Sequence, residues 1–495
     1  MNKLLEFAFT PRTLHEQPPW IEADAAPAAA AAPATPSPCA DFALPAIGAE
    51  ERASARRWLV LALAALVGSG LFSALLVLAR TPHVNAVLPA GDFFRVALVV
   101  HVDLSVLVWF VAIAGLLWSL NLRGASSPWV RRALLLAWSA CAAGAMGMAA
   151  AAFVDPGRAV MANYVPMLDS ATYRAALAMF AAGAALLVGV ALVRPARVGP
   201  AVTGTGALRF GLHASVVAAA VALLAFGWSL AAVPRALPAL AYYEILFWGG
   251  GHALQFTWTL LMLVGWLVLA QACGARIPLT PRIVLLLFAV ALVSVFVTPL
   301  AYLMHDVSTV EHRDMHTWGM RFGGGLAILP LVLAVTLAMR PLRHLAPEKQ
   351  PLGAALGASM LLFVAGGLIG LTISGSNVKI PAHYHGCIVG VTLALMGLVL
   401  HLLPQLGWRA PSGRLAVAQP WLYGLGQLLH IVGLVWSGGY GVQRKVAGGE
   451  QVLRSTAEVA GMGLMGLGGL LAIAGGLAFV VVVLRAMRGT GAGGE

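Results

Sequence analysis

At 495 residues, 60% hydrophobic and 10% charged, the chain has a mean hydropathy of +0.87. Soluble globular proteins carry roughly 25% charged residues, and disordered chains are poor in large apolar ones, so neither class fits. A net charge of +12 would point to nucleic acid in a soluble domain. In so apolar a chain it instead marks loops held on the cytoplasmic side of a membrane, and no nucleic-acid partner is expected.

Residues 1–57 read as a separate cytoplasmic tail, with Ala26–Pro38 an Ala/Pro-rich stretch expected to be disordered. Met1–Thr10 lacks the long apolar run of a secretory signal. From Trp58 onward the chain is a succession of twelve apolar stretches: 58–80, 93–120, 130–153, 171–193, 207–233, 241–271, 283–305, 316–339, 353–375, 382–403, 419–437 and 460–484. A helix needs about 20 residues to cross the hydrocarbon core. The expected fold is thus an all-α integral membrane protein, a twelve-transmembrane-helix bundle over 58–487, followed by a flexible tail at 488–495. Most Lys and Arg fall in the termini and in the loops after even-numbered stretches, which predicts both termini in the cytoplasm. The four cysteines, Cys39, Cys141, Cys273 and Cys387, lack CxxC spacing; this excludes a disulfide scaffold, an iron–sulfur site and a Cys-based zinc site.

That topology sets the depth of the histidines. His101 lies in the second stretch, His252 in the sixth, His305 closes the seventh, and His383 and His385 open the tenth, all in the outer half of the membrane. Ionisable side chains at such depth are costly and mark functional sites. Residues i and i+2 of a helix point about 200° apart, so His383 and His385 serve opposite flanks of one helix. Two hemes either side of it would use that geometry. His101 could supply a second axial ligand to one heme, while His252 and His305 could hold a metal across the open face of the other.

The stretches HVDLSVLVWF (101–110), FWGGGH (247–252), LMHD (303–306), AHYHG (382–386) and GVQRK (441–445) resemble subunit I of the heme–copper oxidase superfamily, over roughly residues 57–487. The resemblance implies His101 and His385 as ligands of a low-spin heme, His383 as the proximal ligand of a high-spin heme, and His252 as a copper ligand. It also implies that Arg444 and Lys445 bind heme propionates, reasonable for carboxylates needing cationic partners at the outer surface.

Two departures stand out. The family's adjacent histidines on the seventh helix are here Met304-His305, so His305 is expected to bind copper with Met304, His312 or His316 as the third ligand. The tyrosine that many family members carry four residues after the sixth-helix histidine is Phe256, with Tyr302 and Tyr384 as possible replacements. Nitric oxide reductases of the family instead carry a Glu near a non-heme iron; the neighbours here are Gln255 and Glu244. The expected function is the catalytic subunit of a respiratory terminal oxidase in a bacterial-type inner membrane. Two hemes and copper, with His252, His305 and His383 at the reaction centre, would reduce dioxygen to water. The chain has no CxxCH, so an electron-donor subunit or cytochrome c, and hence a hetero-oligomer, is expected. The alternatives are a nitric oxide reductase of the same superfamily, or a membrane protein that handles or senses heme or copper without catalysis.

Overall fold

The computed structural model describes residues 41–84, 91–342, 344–374, 376–446 and 451–489. The Ala/Pro-rich stretch and the last residues of the expected C-terminal tail lie outside them. All twelve predicted stretches are found as helices, three of them interrupted. Helix α1 (Ala49–Arg80) starts well before Trp58, because Glu50 and Glu51 favour its N-terminus and Phe42 just ahead is buried. The second stretch runs as α2 (Gly91–Val102), a π-helical segment (Asp103–Val108) and α3 (Trp109–Ser119). Then come α4 (Pro128–Val154), a two-stranded antiparallel hairpin of β1 (Arg158–Val160) and β2 (Met167–Asp169), α5 (Ala171–Val193), α6 (Gly204–Ala232) and α7 (Ala239–Cys273).

The seventh stretch is α8 (Pro281–Val295) followed by α9 (Val297–Met304). Pro299 has no N–H for the carbonyl four residues back, which accounts for the break at Phe296. The eighth is α10 (Val310–Gly323) and α11 (Gly325–Met339), parted at Gly324 within a run of three glycines. The chain continues as α12 (Gln350–Gly370), α13 (Lys379–Leu402), α14 (Arg414–Gly439) and α15 (Thr456–Met487). Among the described residues, eleven spans are long and apolar enough to cross a membrane. The more polar α14, with Gln419, Gln427 and His430, fills the remaining predicted position.

Helices α7 and α13 are the most enclosed of these spans, and between them they carry three of the histidines of interest. Trp266 of α7 donates to Ser359 of α12 (2.8 Å), which donates to the Gly390 carbonyl of α13 (2.6 Å), locking the three together. Gly366 and Gly386 let α12 and α13 meet backbone to backbone, the small-residue packing that brings membrane helices close. At one end of the bundle, Arg56 near the start of α1 donates to the Leu406 carbonyl (2.7 Å), and the Arg409 N–H donates to the Ala486 carbonyl near the end of α15 (3.3 Å). The histidine cluster sits toward the other end, where Arg80 closes α1, exchanges hydrogen bonds with the Gln451 side chain and donates to the Gln443 carbonyl.

Candidate functional site

The eighth stretch begins earlier than its apolar run suggests. Thr309 caps α10 by accepting the His312 N–H (3.2 Å), and this draws Glu311, His312, Arg313, Asp314 and His316 into the helix. His312 and His316 become i, i+4 neighbours with ring centroids 4.7 Å apart, each only 2% exposed. Across from them, the His252 ring lies 5.7 Å from that of His316. The glycines of Phe247–His252 make this approach possible. A Cβ on Gly249 would lie 3.0 Å from His316 Nε2 and 2.5 Å from the Tyr302 hydroxyl, while one on Gly250 or Gly251 would overlap the rings of Phe226 or Tyr164. The structure therefore brings together His252, His312 and His316. Met304 points outward at 64% exposure, and half-buried His305 terminates α9 without a ring contact to the three.

Tyr302 packs edge-on against His312 (4.6 Å between centroids) and is held through its hydroxyl by Ser229 (2.6 Å) and the Ala225 carbonyl (3.1 Å). Tyr384 instead stacks on His385. The phenol on His252 itself comes from the hairpin loop, a residue the sequence reading did not single out: the Tyr164 hydroxyl lies 3.0 Å from Nε2.

The other imidazoles divide by flank of α13. His385 lies 5.1 Å from His430 of α14, centroid to centroid. His383 faces α12, through a hydrogen bond to the Gly366 carbonyl (2.7 Å). Seven histidines share one arrangement, each with Nδ1 at a backbone carbonyl. The partners are Ser69 for His101, Trp248 for His252, Ala301 for His312, His312 for His316, Gly366 for His383, Pro381 for His385 and Met465 for His430. A carbonyl only accepts, so Nδ1 carries the proton and Nε2 is left as the donor atom for a metal, the usual tautomer lock of ligating histidines. His316 Nε2 is buried without any partner. Such orphans are rare and ask for an explanation, and a metal or heme iron fits the chemistry of this donor set. Among the described residues, however, no three His, Cys, Asp or Glu side chains close into a metal cage. His252 Nε2 is already taken by Tyr164.

Next to His101 the helix widens into the π segment, a feature that often accompanies function. Buried Asp103 there pairs with the Tyr173 hydroxyl, which also reaches the Pro166 carbonyl (3.2 Å). At the outer rim, Asn163 is a hub. Its carbonyl oxygen accepts from Arg444 (3.1 Å) and Lys445 (3.2 Å), and its amide donates to Glu244 (2.9 Å). Lys445, in the left-handed region at φ 63°, also donates to the Met161 carbonyl. Burial and neighbouring Arg444 lower its ammonium to about 8, partly offset by Glu244. Burial, aided by Glu244, pushes the Tyr164 phenol up, so it remains a proton donor.

The sequence profile described as "Cytochrome C and Quinol oxidase polypeptide I" matches residues 53–473. An uncharacterized protein of Rickettsia prowazekii is 28% identical over 88% of this chain and 96% of its own length. Cytochrome c oxidase subunit 1 of Thermus thermophilus is 26% identical over 44% of this chain and 43% of its own. The fold is that of a heme-copper terminal oxidase dimer solved by cryo-EM, with a TM-score of 0.70 and 15% identity, covering 89% of this chain and 84% of that one.

Proposed function

We propose, proceeding from the fact that this chain belongs to the cytochrome c and quinol oxidase polypeptide I family, that it is the catalytic subunit of a respiratory terminal oxidase reducing dioxygen to water. In this reading His101 and His385 hold a low-spin heme, His383 holds a high-spin heme, and His252, His312 and His316 hold copper. The observation that carries it is the buried imidazole trio with its unpartnered His316 Nε2. His305, the ligand expected from the Met304-His305 motif, is set aside in favour of His312 and His316 because those two are buried one helical turn apart beside His252, whereas His305 is half-buried at the end of α9.

When bound, the hemes and copper carry the electrons and take the diatomic substrate. The chain does the positioning. Seven Nδ1 atoms are fixed by backbone carbonyls, so each ring presents Nε2 at a set angle. Trp248 and Tyr302 pack directly against the rings of the trio. Arg444 and Lys445 supply cations for the propionates, as their place at the rim beside Asn163 supports. Glu244 is committed to Asn163 rather than to the trio, which favours copper and oxygen over the iron of a nitric oxide reductase. The membrane is the bacterial inner membrane with both termini cytoplasmic, and a partner subunit or cytochrome c delivers electrons.

The test is heme and metal analysis of purified protein with optical spectra under carbon monoxide. Two hemes, one binding carbon monoxide, and one copper per chain are expected. Non-heme iron in place of copper would move the assignment to nitric oxide reduction, and absence of heme would overturn both.

A further inference from the structure

We propose that His430 is a positioning residue for the low-spin heme, a wedge on α14 that fixes the ring plane of the ligand His385. The inference deepens the heme reading above and rests on it. One hydrogen bond does not orient an imidazole fully. Nδ1 of His385 is tied to the Pro381 carbonyl one turn back on α13 (2.8 Å), which decides which nitrogen is left free. Carbonyl oxygens accept over a broad range of directions, so the ring can still rock about its Cβ–Cγ bond and keep that partner. A close-packed neighbour against the ring removes the remaining freedom. Groups that touch a ligand without touching the metal set the ligand's orientation in this way.

Two rings bear on His385. Tyr384 stacks on it at 5.3 Å between centroids with the planes 26° apart, and His430 lies at 5.1 Å with the planes 44° apart. They differ in how firmly they are themselves held. Tyr384 is the neighbour in the chain and keeps 36% of its surface exposed, whereas His430 comes from another helix and is 9% exposed. Nδ1 of His430 donates to the Met465 carbonyl of α15 (3.0 Å). Two glycines of α15 clear the space around it. A Cβ on Gly468 would lie 2.3 Å from the His430 backbone nitrogen, and one on Gly469 would lie 3.2 Å from Nδ1 and 2.8 Å from Val77 of α1. The ring is thus seated where α14 meets α15 and α1, and it presses on a ligand carried by α13. Tyr384 can follow the ring it touches; His430 cannot, so the plane is set by His430.

The experiment compares the full chain, purified in detergent with its hemes, with its His430→Ala and His430→Phe variants. The readout is the electron paramagnetic resonance of the oxidised low-spin heme, whose largest g value follows the angle between the two axial imidazole planes. His430→Ala is expected to keep two hemes per chain and carbon monoxide binding at the other heme, while the low-spin g line broadens and moves. His430→Phe restores a ring without the bond to Met465, and it is expected to return the line close to its wild-type position and width. An unchanged line in His430→Ala means that His430 serves only to join α14 to α15, and overturns the wedge. A line displaced as far in His430→Phe as in His430→Ala also overturns it, since the hydrogen bond and not the ring would then be responsible. Should His430→Ala lose the low-spin heme altogether, His430→Phe decides: a wild-type line supports the wedge, and loss of the line overturns it. A wild-type chain without a bis-imidazole low-spin signal overturns the heme reading and the wedge with it.

Discussion

At the scale of single residues, the decisive fact is which atoms of an imidazole are already spoken for. His305 and His316 are both candidate copper ligands, but of the two only His316 presents a buried nitrogen with nothing to bond. The expected outcome is that His316→Ala loses copper by metal analysis, whereas His305→Ala retains it within about twofold, because ligand loss removes a metal–nitrogen bond and loss of a neighbouring ring does not. Retention of copper by His316→Ala would restore His305 as the expected ligand and leave the third position to Met304 or His312. Much of the arrangement is legible in the letters: His101, His252, His305, His383 and His385 stand out as ionisable groups inside apolar stretches. What the letters hid is the partner on the other side of each ring. Tyr164 carries no motif around it, and its contact with His252 depends on a loop folding back over α7. Likewise His430 looks like a lone histidine in a helix until α14 packs beside α13 and brings it to 5.1 Å from His385.

At the scale of elements, helix boundaries decide which residues share a face. An apolar run marks where a span enters hydrocarbon, not where its helix begins. The apolar run of the eighth stretch thus opens at His316, whereas its helix already begins at Val310. The cue that could have moved the boundary is Thr309, a capping residue directly ahead of His312 and His316 at helical spacing. The cap is open to direct test. Thr309→Ala removes an oxygen that accepts the His312 N–H and a hydroxyl that donates to the Asp306 carbonyl (2.8 Å). A lost N-cap costs about 1 kcal/mol, so hydrogen exchange at the first turn of α10 should speed up roughly fivefold while α7 is unchanged. An unaltered first turn would mean that packing against α7, and not the cap, sets the start of α10. The breaks at Phe296 and Gly324 were similarly invisible as breaks, since Pro299 and the triple glycine sit inside continuous apolar runs.

At the scale of the whole molecule, the order of eleven of the spans follows from hydropathy, because a bilayer leaves a backbone no alternative to hydrogen-bonding itself within helices, while the more polar α14 completes the set. Orientation rests on the Lys and Arg bias. The structure adds that the starts and ends of the described bundle, Arg56 and Ala486, gather at the end opposite Arg444 and Lys445. With cysteine reporters in intact cells, Gln443→Cys should react with a membrane-impermeant maleimide from outside and Arg488→Cys only after permeabilisation; the reverse pattern would invert the topology. One further consequence concerns the order in which a ribosome delivers these parts. His252, His312 and His316 leave the ribosome well ahead of Arg444 and Lys445, yet those two cations pin Asn163 and, through it, the loop bearing Tyr164. During synthesis the three imidazoles therefore exist before their cover is fastened. The last hundred or so residues of the chain, on an order-of-magnitude view of N-to-C-terminal domain folding, close a centre that earlier residues have already laid down.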